Sequence, residues 1–268
     1  MKFVEKLKKK WDEKKFVCVG LDPVSEKLPK ILNNNFYEFN KAIIDATHDI
    51  VLAYKPNSAF YEAKGSEGIE DLKKTCDYIS QNFPHIPIIL DAKRGDIGST
   101  NEGYVTFAFD YLKADAITLH PYLGKEALQP FLDRPEKGLI ILCKTSNPGA
   151  GEFQDLEIDG KPLYQVVAKK AILEWNGNGN ICFVVGGTYP EEFKSIRKIV
   201  GDVPILIPGI GAQGGDLEKT VKNGRDSKNR GMIISSSRGI IFASNGDDFA
   251  DKARAEALKL SEEIKKYL

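Results

Sequence analysis

At 268 residues, the chain has the length of one large domain or two small ones. Its 38 Lys and Arg balance 38 Asp and Glu, so no global field exists to hold a polyanion, which argues against nucleic acid or an acidic membrane as main partner. A composition 42% hydrophobic and 28% charged fills a core and excludes a disordered tail, and no apolar run approaches the roughly 18 residues of a membrane span.

The N-terminal segment from Met1 to Trp11 is basic but lacks the apolar stretch of a secretory signal, so the expected localisation is cytoplasmic. It reads as a helix with Phe3, Leu7 and Trp11 on one stripe, closing the bottom of a barrel or packing on its side. Short, nearly continuous apolar runs then recur at Phe16–Leu21, Val51–Tyr54, Ile86–Leu90, Ala116–Leu119, Leu139–Leu142, Ile181–Val185, Val203–Ile207 and Met232–Ile234. Such runs are how parallel strands covered on both faces read. Between the early runs, Phe36, Phe39, Ile43, Ala46 and Ile50 keep helical spacing, as do Ile69, Leu72, Cys76, Ile79 and Phe83. Asn147–Lys161 and Asn223–Arg230 are polar and read as surface loops. A last helix opens at Asp247 as cap and runs through Phe249, Ala253, Ala257, Leu260, Ile264 and Leu268.

Eight strands alternating with helices over about 250 residues is the arithmetic of an α/β protein of the (β/α)₈ TIM-barrel type. The alternative, a doubly wound open sheet, usually carries an early Gly-x-Gly-x-x-Gly, absent here after the first strand. No linker-like tract divides the chain, so residues 1–268 are read as one domain. The four cysteines form no Cys-x-x-Cys pair and read as reduced small hydrophobes rather than zinc or redox groups.

In such barrels the chemistry sits at the C-terminal ends of the strands. There the chain places Asp22, Lys55, Asn57, Asp91, Lys93, Asp96, Lys144 and Ser146. Asp91 and Lys93 are two apart, so on an extended strand both side chains face the barrel mouth, where Lys55 of the neighbouring strand converges on them. Two unit charges about 4 Å apart interact by roughly 4 kcal/mol at an effective dielectric near 20. Desolvation costs a comparable amount, so a plain salt bridge closing the barrel accounts for any one pair. Four groups of alternating sign in one place are what proton-transfer sites use. The glycines Gly209, Gly211, Gly214 and Gly215 after strand seven, with Ser237-Arg238-Gly239 after strand eight, stand where this fold commonly binds phosphate.

These residues resemble a known family. Asp91-Ala-Lys93-Arg-Gly-Asp96 is similar to the Asp-x-Lys-x-x-Asp signature of the orotidine 5′-phosphate decarboxylases, and Leu21-Asp22-Pro23, Thr145-Ser146-Asn147-Pro148-Gly149, Pro208 to Asp216 and Ser237-Arg238-Gly239 continue the likeness in chain order. Tyr54-Lys55-Pro56-Asn57 and the long fifth loop resemble the family's second subfamily. The resemblance implies decarboxylation of orotidine 5′-monophosphate to UMP without metal or cofactor, in a homodimer whose sites are completed across the interface. It implies that Lys93 protonates C6 and that Asp91 lies beside the substrate carboxylate, with Lys55 holding Asp91 and the ribose. Asp22 then binds a ribose hydroxyl, Asp96 and Thr100 act from the partner chain, and Ser146 contacts the pyrimidine. Gln213 and Arg238 hold the phosphate, and Gly211, Ser237 and Asn57 complete the binding set.

Three rivals are disfavoured by residues the chain keeps. A related magnesium-dependent sugar-phosphate decarboxylase shares the Asp-x-Lys-x-x-Asp motif but carries an acidic residue in place of Lys55. A Schiff-base aldolase would use Lys55, Lys93 or Lys144. A non-catalytic barrel sensing a phosphorylated nucleotide would need the phosphate residues but not the Asp91–Lys93 pair. His120 is read as structural, Arg94 as an exposed or interface charge, and Trp175 as packing a helix on the barrel, while Lys144 has no assigned role.

Overall fold

The computed structural model describes residues 1–188, 190–210 and 216–268. Eight parallel strands form the barrel: β1 (Val17–Leu21), β2 (Ala53–Pro56), β3 (Ile89–Arg94), β4 (Ala116–Leu119), β5 (Gly138–Lys144), β6 (Ile181–Val185), β7 (Ile205–Ile207) and β8 (Met232–Ser236). Each pairs with its sequence neighbour, and β8 returns to β1 through Val17–Ile234, Cys18–Ser235 and Val19–Ser236. The β2–β3 seam is closed by two isolated bridges, Tyr54–Ile88 and Asn57–Asp91, rather than by a continuous ladder. Pro56 and Pro87 bring no N–H to that seam, which is why its ladder is short. Every residue of β1, β2, β4 and β6 is buried, as strands covered on both faces require.

The principal helices are α1 (Phe3–Asp12), α2 (Phe36–Thr47), α3 (Gly65–Asn82), α4 (Gly98–Val105), α5 (Leu163–Lys170), α6 (Pro190–Val200), α7 (Leu217–Gly224) and α8 (Phe249–Lys266). Asn35 caps α2, its Oδ1 accepting from Glu38 N at 3.0 Å, and the buried stripe of Phe36, Phe39, Ile43 and Ile44 faces the barrel. α1 closes the bottom. Trp11 Nε1 donates to the carbonyl of Met232 at 2.8 Å, and the Phe3 ring fills the space beside Gly138, where a Cβ would lie 2.1 Å from it. Both contacts are at N-terminal ends of strands, opposite the mouth. Burying side chains such as Phe3 and Leu7 contributes about 1.5–3 kcal/mol each.

Several boundaries differ from expectation: β2, β3 and β7 begin two or three residues later than their apolar runs, at Ala53, Ile89 and Ile205, and three strands run on at their C-terminal ends for one reason. An apolar run ends at the first charged residue, whereas the ladder continues: β2 takes in Lys55, β3 runs through Asp91 to Arg94, and β5 reaches Lys144. The strands therefore carry the charges into the mouth. The last helix starts at Phe249 rather than at Asp247, with Asp248 in the cap position and bonded to Ser244 Oγ at 2.6 Å. The Asn147–Lys161 loop holds the short helix Gly151–Gln154 and a ribbon pairing Ile158 with Lys161. In the Asn223–Arg230 stretch, α7 extends to Gly224. The turn after it closes on Asp226, whose Oδ1 accepts from Lys228 N and Arg230 N.

All four cysteines are free and buried, and burial pushes the Cys18, Cys76 and Cys143 thiols up to about 12. They pack as small hydrophobes. Trp175 is buried against the core. Among the described residues no helix is long and apolar enough to cross a membrane.

Candidate active site

Three of the four charges expected to meet at the mouth, Lys55, Asp91 and Lys93, do so, and Asp96 does not join them. Asp91 lies between two lysines: Lys55 Nζ donates to Oδ2 at 3.1 Å and Lys93 Nζ to Oδ1 at 2.7 Å. Lys55 and Asp91 are buried, whereas the Lys93 side chain is 49% exposed and forms the open end of the chain of charges. Burial opposes the Asp91 charge, but Lys55 and then Lys93 outweigh it and hold the carboxyl well below the usual carboxylate range. Burial likewise opposes the Lys55 charge. Asp91 and then Asp22 outweigh it, and the ammonium is held above the ordinary lysine range. At neutral pH the site presents a buried carboxylate clamped by a buried ammonium, with a second ammonium facing outward.

The route by which Asp91 and Lys93 meet departs from simple strand alternation. Lys93 has φ +47°, in the left-handed region, and the β3–β4 pairing slips between Leu90 and Arg94. This bulge re-aims the lysine. Thr118 of β4 fills the gap. Its Oγ1 accepts from Lys93 N at 3.0 Å and donates to Asp91 Oδ1 at 2.9 Å. Sequence reading missed Thr118 because a threonine inside an apolar run is an ordinary strand residue; its one signal is being the polar member of buried Ala116–Leu119.

Around this triad the mouth is tied together by hydrogen bonds. Asp22, just past β1, accepts from Asn57 N at 3.1 Å. The Asn57 side chain turns instead to Ala59 N, capping the short helix Ser58–Glu62. Tyr61 from that helix donates to the carbonyl of Leu21 at 2.8 Å, fixing the strand end that carries Asp22. Ser146 sits against Gly186, where any Cβ would lie 2.7 Å from the serine Cβ, so only glycine admits it there. The segment bearing Ser146 is stitched on both sides: Thr145 N donates to Gln154 Oε1 at 2.8 Å, and buried Lys144 pairs with Asp155 while lying over the Tyr164 ring. That gives Lys144 a place the sequence did not supply.

A cavity of about 200 Å³ opens beside the triad, lined by Asp22, Lys55, Ser235, Ser236, Ser237 and Arg238. A larger groove, about 600 Å³, lies on the outer face between α5 and α6 and includes none of the expected site residues. We assign the chemistry to the mouth, where the charges converge. Ser237 Oγ reaches the carbonyl of Gly20 at 3.5 Å, and Arg238 is exposed.

Asp96 stands apart from the triad within this chain. Its Oδ1 accepts from Ile97 N at 2.7 Å, and its own N–H donates to Asn101. Thr100, on α4, is exposed. His120 packs on Gly95 and donates its N–H to Arg94 O, a structural place, and Arg94 pairs with Glu62 and lies over Tyr104. Gly211 and Gln213 lie outside the described residues.

A parallel (β/α)₈ barrel with a Lys–Asp–Lys chain at the C-terminal ends of β2 and β3 is a barrel with a mouth built for charge chemistry. The sequence model of the Orotidine 5′-phosphate decarboxylase / HUMPS family matches residues 15–253, and the chain belongs to that family. It is 51% identical over 270 residues to the orotidine 5′-phosphate decarboxylase of Cellvibrio japonicus, covering 98% of each chain. It is 49% identical to that of Cupriavidus metallidurans, covering 100% of this chain and 99% of the relative. The structure of Leishmania donovani OMP decarboxylase superposes with a TM-score of 0.88 at 38% identity, over 100% of this chain and 99% of that one.

Proposed function

We propose that this protein decarboxylates orotidine 5′-monophosphate to UMP and CO₂, the last step of pyrimidine nucleotide synthesis, as a cytoplasmic member of the second subfamily built as one domain over 1–268. The observation that carries the reading is the Lys55–Asp91–Lys93 chain at the mouth of a barrel about half identical to named decarboxylases along its whole length.

Breaking the C6–carboxylate bond releases CO₂ and leaves the electron pair on a ring carbon with no electron sink. An ammonium fixed beside that carbon stabilises the transition state more than the ground state. Lys93 holds that position. It gives a proton to C6, forming the C–H bond of UMP, and is recharged from solvent when product leaves. Asp91 lies beside the departing carboxylate and keeps Lys93 oriented, while Lys55 holds Asp91 and the ribose. Asp22 takes a ribose hydroxyl, Ser146 the pyrimidine, and Arg238 the phosphate, with Ser237, Asn57, Gly211 and Gln213 completing the binding set.

No metal or cofactor is needed in this scheme. Lys55 supports that: its ammonium, bonded to Asp91, occupies the position where the magnesium-dependent sugar-phosphate decarboxylases carry an acidic group. The working unit is a homodimer. Asp96 makes no hydrogen bond or ion pair to the triad among the described residues, and Thr100 is exposed, as residues acting in a partner's site would be; Ile97 and Tyr122 are exposed apolar side chains.

The test follows orotidine 5′-monophosphate absorbance with wild type and Lys93→Ala, with and without EDTA. Turnover by wild type in both, near-abolition in Lys93→Ala and retained UMP binding are the expected results. Turnover surviving in Lys93→Ala removes the assigned acid, and inhibition by EDTA removes the metal-free scheme.

A further inference from the structure

The mouth cavity has an excess of positive charge. Its wall carries three cationic side chains, Lys27, Lys55 and Arg238, against one carboxylate, Asp22. Lys55 is satisfied by Asp91. Among the described residues, Lys27 and Arg238 have no carboxylate within ion-pair reach.

Lys27 is exposed, but its ammonium has a fixed neighbour. It closes the single turn Ser25–Lys27, and its ammonium lies over the Phe242 ring, 5.4 Å from the centroid. Phe242 stacks on Phe39 at 5.9 Å, and Phe39 on Phe249 at 5.3 Å. Phe39 and Phe249 are buried between α2 and α8, so the ring that seats the ammonium is anchored in the core. Cations are drawn to such ring faces. A long, flexible side chain is thereby held with its charge at the cavity rim.

From this placement we infer that Lys27 is a second phosphate-binding cation, acting with Arg238, and that the pair makes the cavity select a dianionic over a monoanionic phosphate. The inference rests on the phosphonucleotide reading above and deepens it. A phosphate monoester carries about −1.5 to −2 charges at neutral pH and gains a proton near pH 6. One guanidinium balances half of that charge; Lys27 and Arg238 together balance all of it.

The charged groups lining the cavity are Asp22, Lys27, Lys55 and Arg238, and among the described residues no histidine lines it. Between about pH 7.5 and pH 5 the phosphate monoester gains its proton.

Calorimetric titration with UMP and with uridine, on wild type, Lys27→Ala and Lys27→Arg, tests this. At about pH 7.5, Lys27→Ala is expected to bind UMP about tenfold more weakly, with uridine affinity unchanged and Lys27→Arg close to wild type. At about pH 5 the wild-type advantage over Lys27→Ala should shrink to about threefold or less. Lys27→Ala binding UMP as tightly as wild type at neutral pH, losing uridine to the same degree, or keeping its full deficit at low pH would each overturn the inference. Wild type that fails to bind UMP at all sinks the decarboxylase reading as well, which keeps the two failures distinct.

Discussion

The backbone N–H of Lys93 donates to the hydroxyl of Thr118 at 3.0 Å, across the point where β3 and β4 slip out of register. A non-glycine residue in the left-handed region costs on the order of 1–3 kcal/mol, and it persists only where its surroundings fix it. Thr118 supplies that fixation. The same hydroxyl donates to Asp91 Oδ1, so one oxygen sets both the backbone of the lysine and the side chain of its carboxylate partner.

Thr118→Val keeps the volume and removes both bonds. Leaving Lys93 N–H unpaired at a part-buried position should cost about 1–3 kcal/mol in urea unfolding. The Lys93 ammonium should also lose its fixed position, lowering kcat by about tenfold or more with UMP affinity retained. Thr118→Ser should restore most of both. A valine variant with wild-type kcat would show that the bulge holds itself.

The acid–base behaviour of the triad gives a stability test. Asp91 is held below its unfolded value, so its contribution is fully present above pH ~4 and is lost as pH falls through the depressed native value. Lys55 is held above its ordinary value, so its contribution is present below pH ~10 and is lost only as pH rises through the raised native value. Asp91→Asn leaves the buried Lys55 ammonium without its bonded counter-charge, a loss on the order of 3–5 kcal/mol at neutral pH. Below pH ~4 wild type should lose stability more steeply than the variant, and the two urea curves should converge. Parallel curves down to the acid limit would mean that Asp91 is not the group titrating.

How much of this was readable beforehand follows from what each signal depends on. Lys55 and Asp91 announced themselves because a charge at the end of an apolar run is costly unless it is used. The eight-strand arithmetic gave the barrel for the same reason: burial on both faces leaves an unbroken apolar trace. Thr118, the left-handed Lys93 and the strand extensions left no such trace. Threonine suits a strand whether or not its hydroxyl is employed, and a bulge is set by register between segments distant in sequence. The Lys144–Asp155 pair likewise depends on how the fifth loop folds back, which no periodicity encodes.

That pair carries an expectation of its own. Asp155 is half exposed, whereas Lys144 is 1% exposed and keeps the Tyr164 ring beneath it when the carboxylate is neutralised. Asp155→Asn should therefore still fold, at lower stability because a buried ammonium loses its carboxylate, and loosen the segment that presents Ser146, reducing kcat/KM by about three- to tenfold. In a Ser146→Ala background the same change should add little, because the group it positions is already gone. Full additivity of the two substitutions would place Asp155 outside the route to Ser146.

The dimer reading can be decided by mixing inactive proteins. Lys93→Ala removes the acid from a subunit's own site, and Asp96→Ala removes a group proposed to act in the neighbour's site. In a hybrid pair, one site collects both defects and the other has none. Random exchange of equal amounts makes half of all dimers hybrids, so about a quarter of the sites should recover. The measurement is decarboxylase activity after co-refolding or prolonged exchange of two preparations that are each nearly inactive. If Asp96 served its own chain, every site in the mixture would carry one defect or the other, and no activity would return. Its contacts within this chain, to Ile97 N and Asn101, leave its second carboxylate oxygen available to a partner, which is the geometry complementation requires.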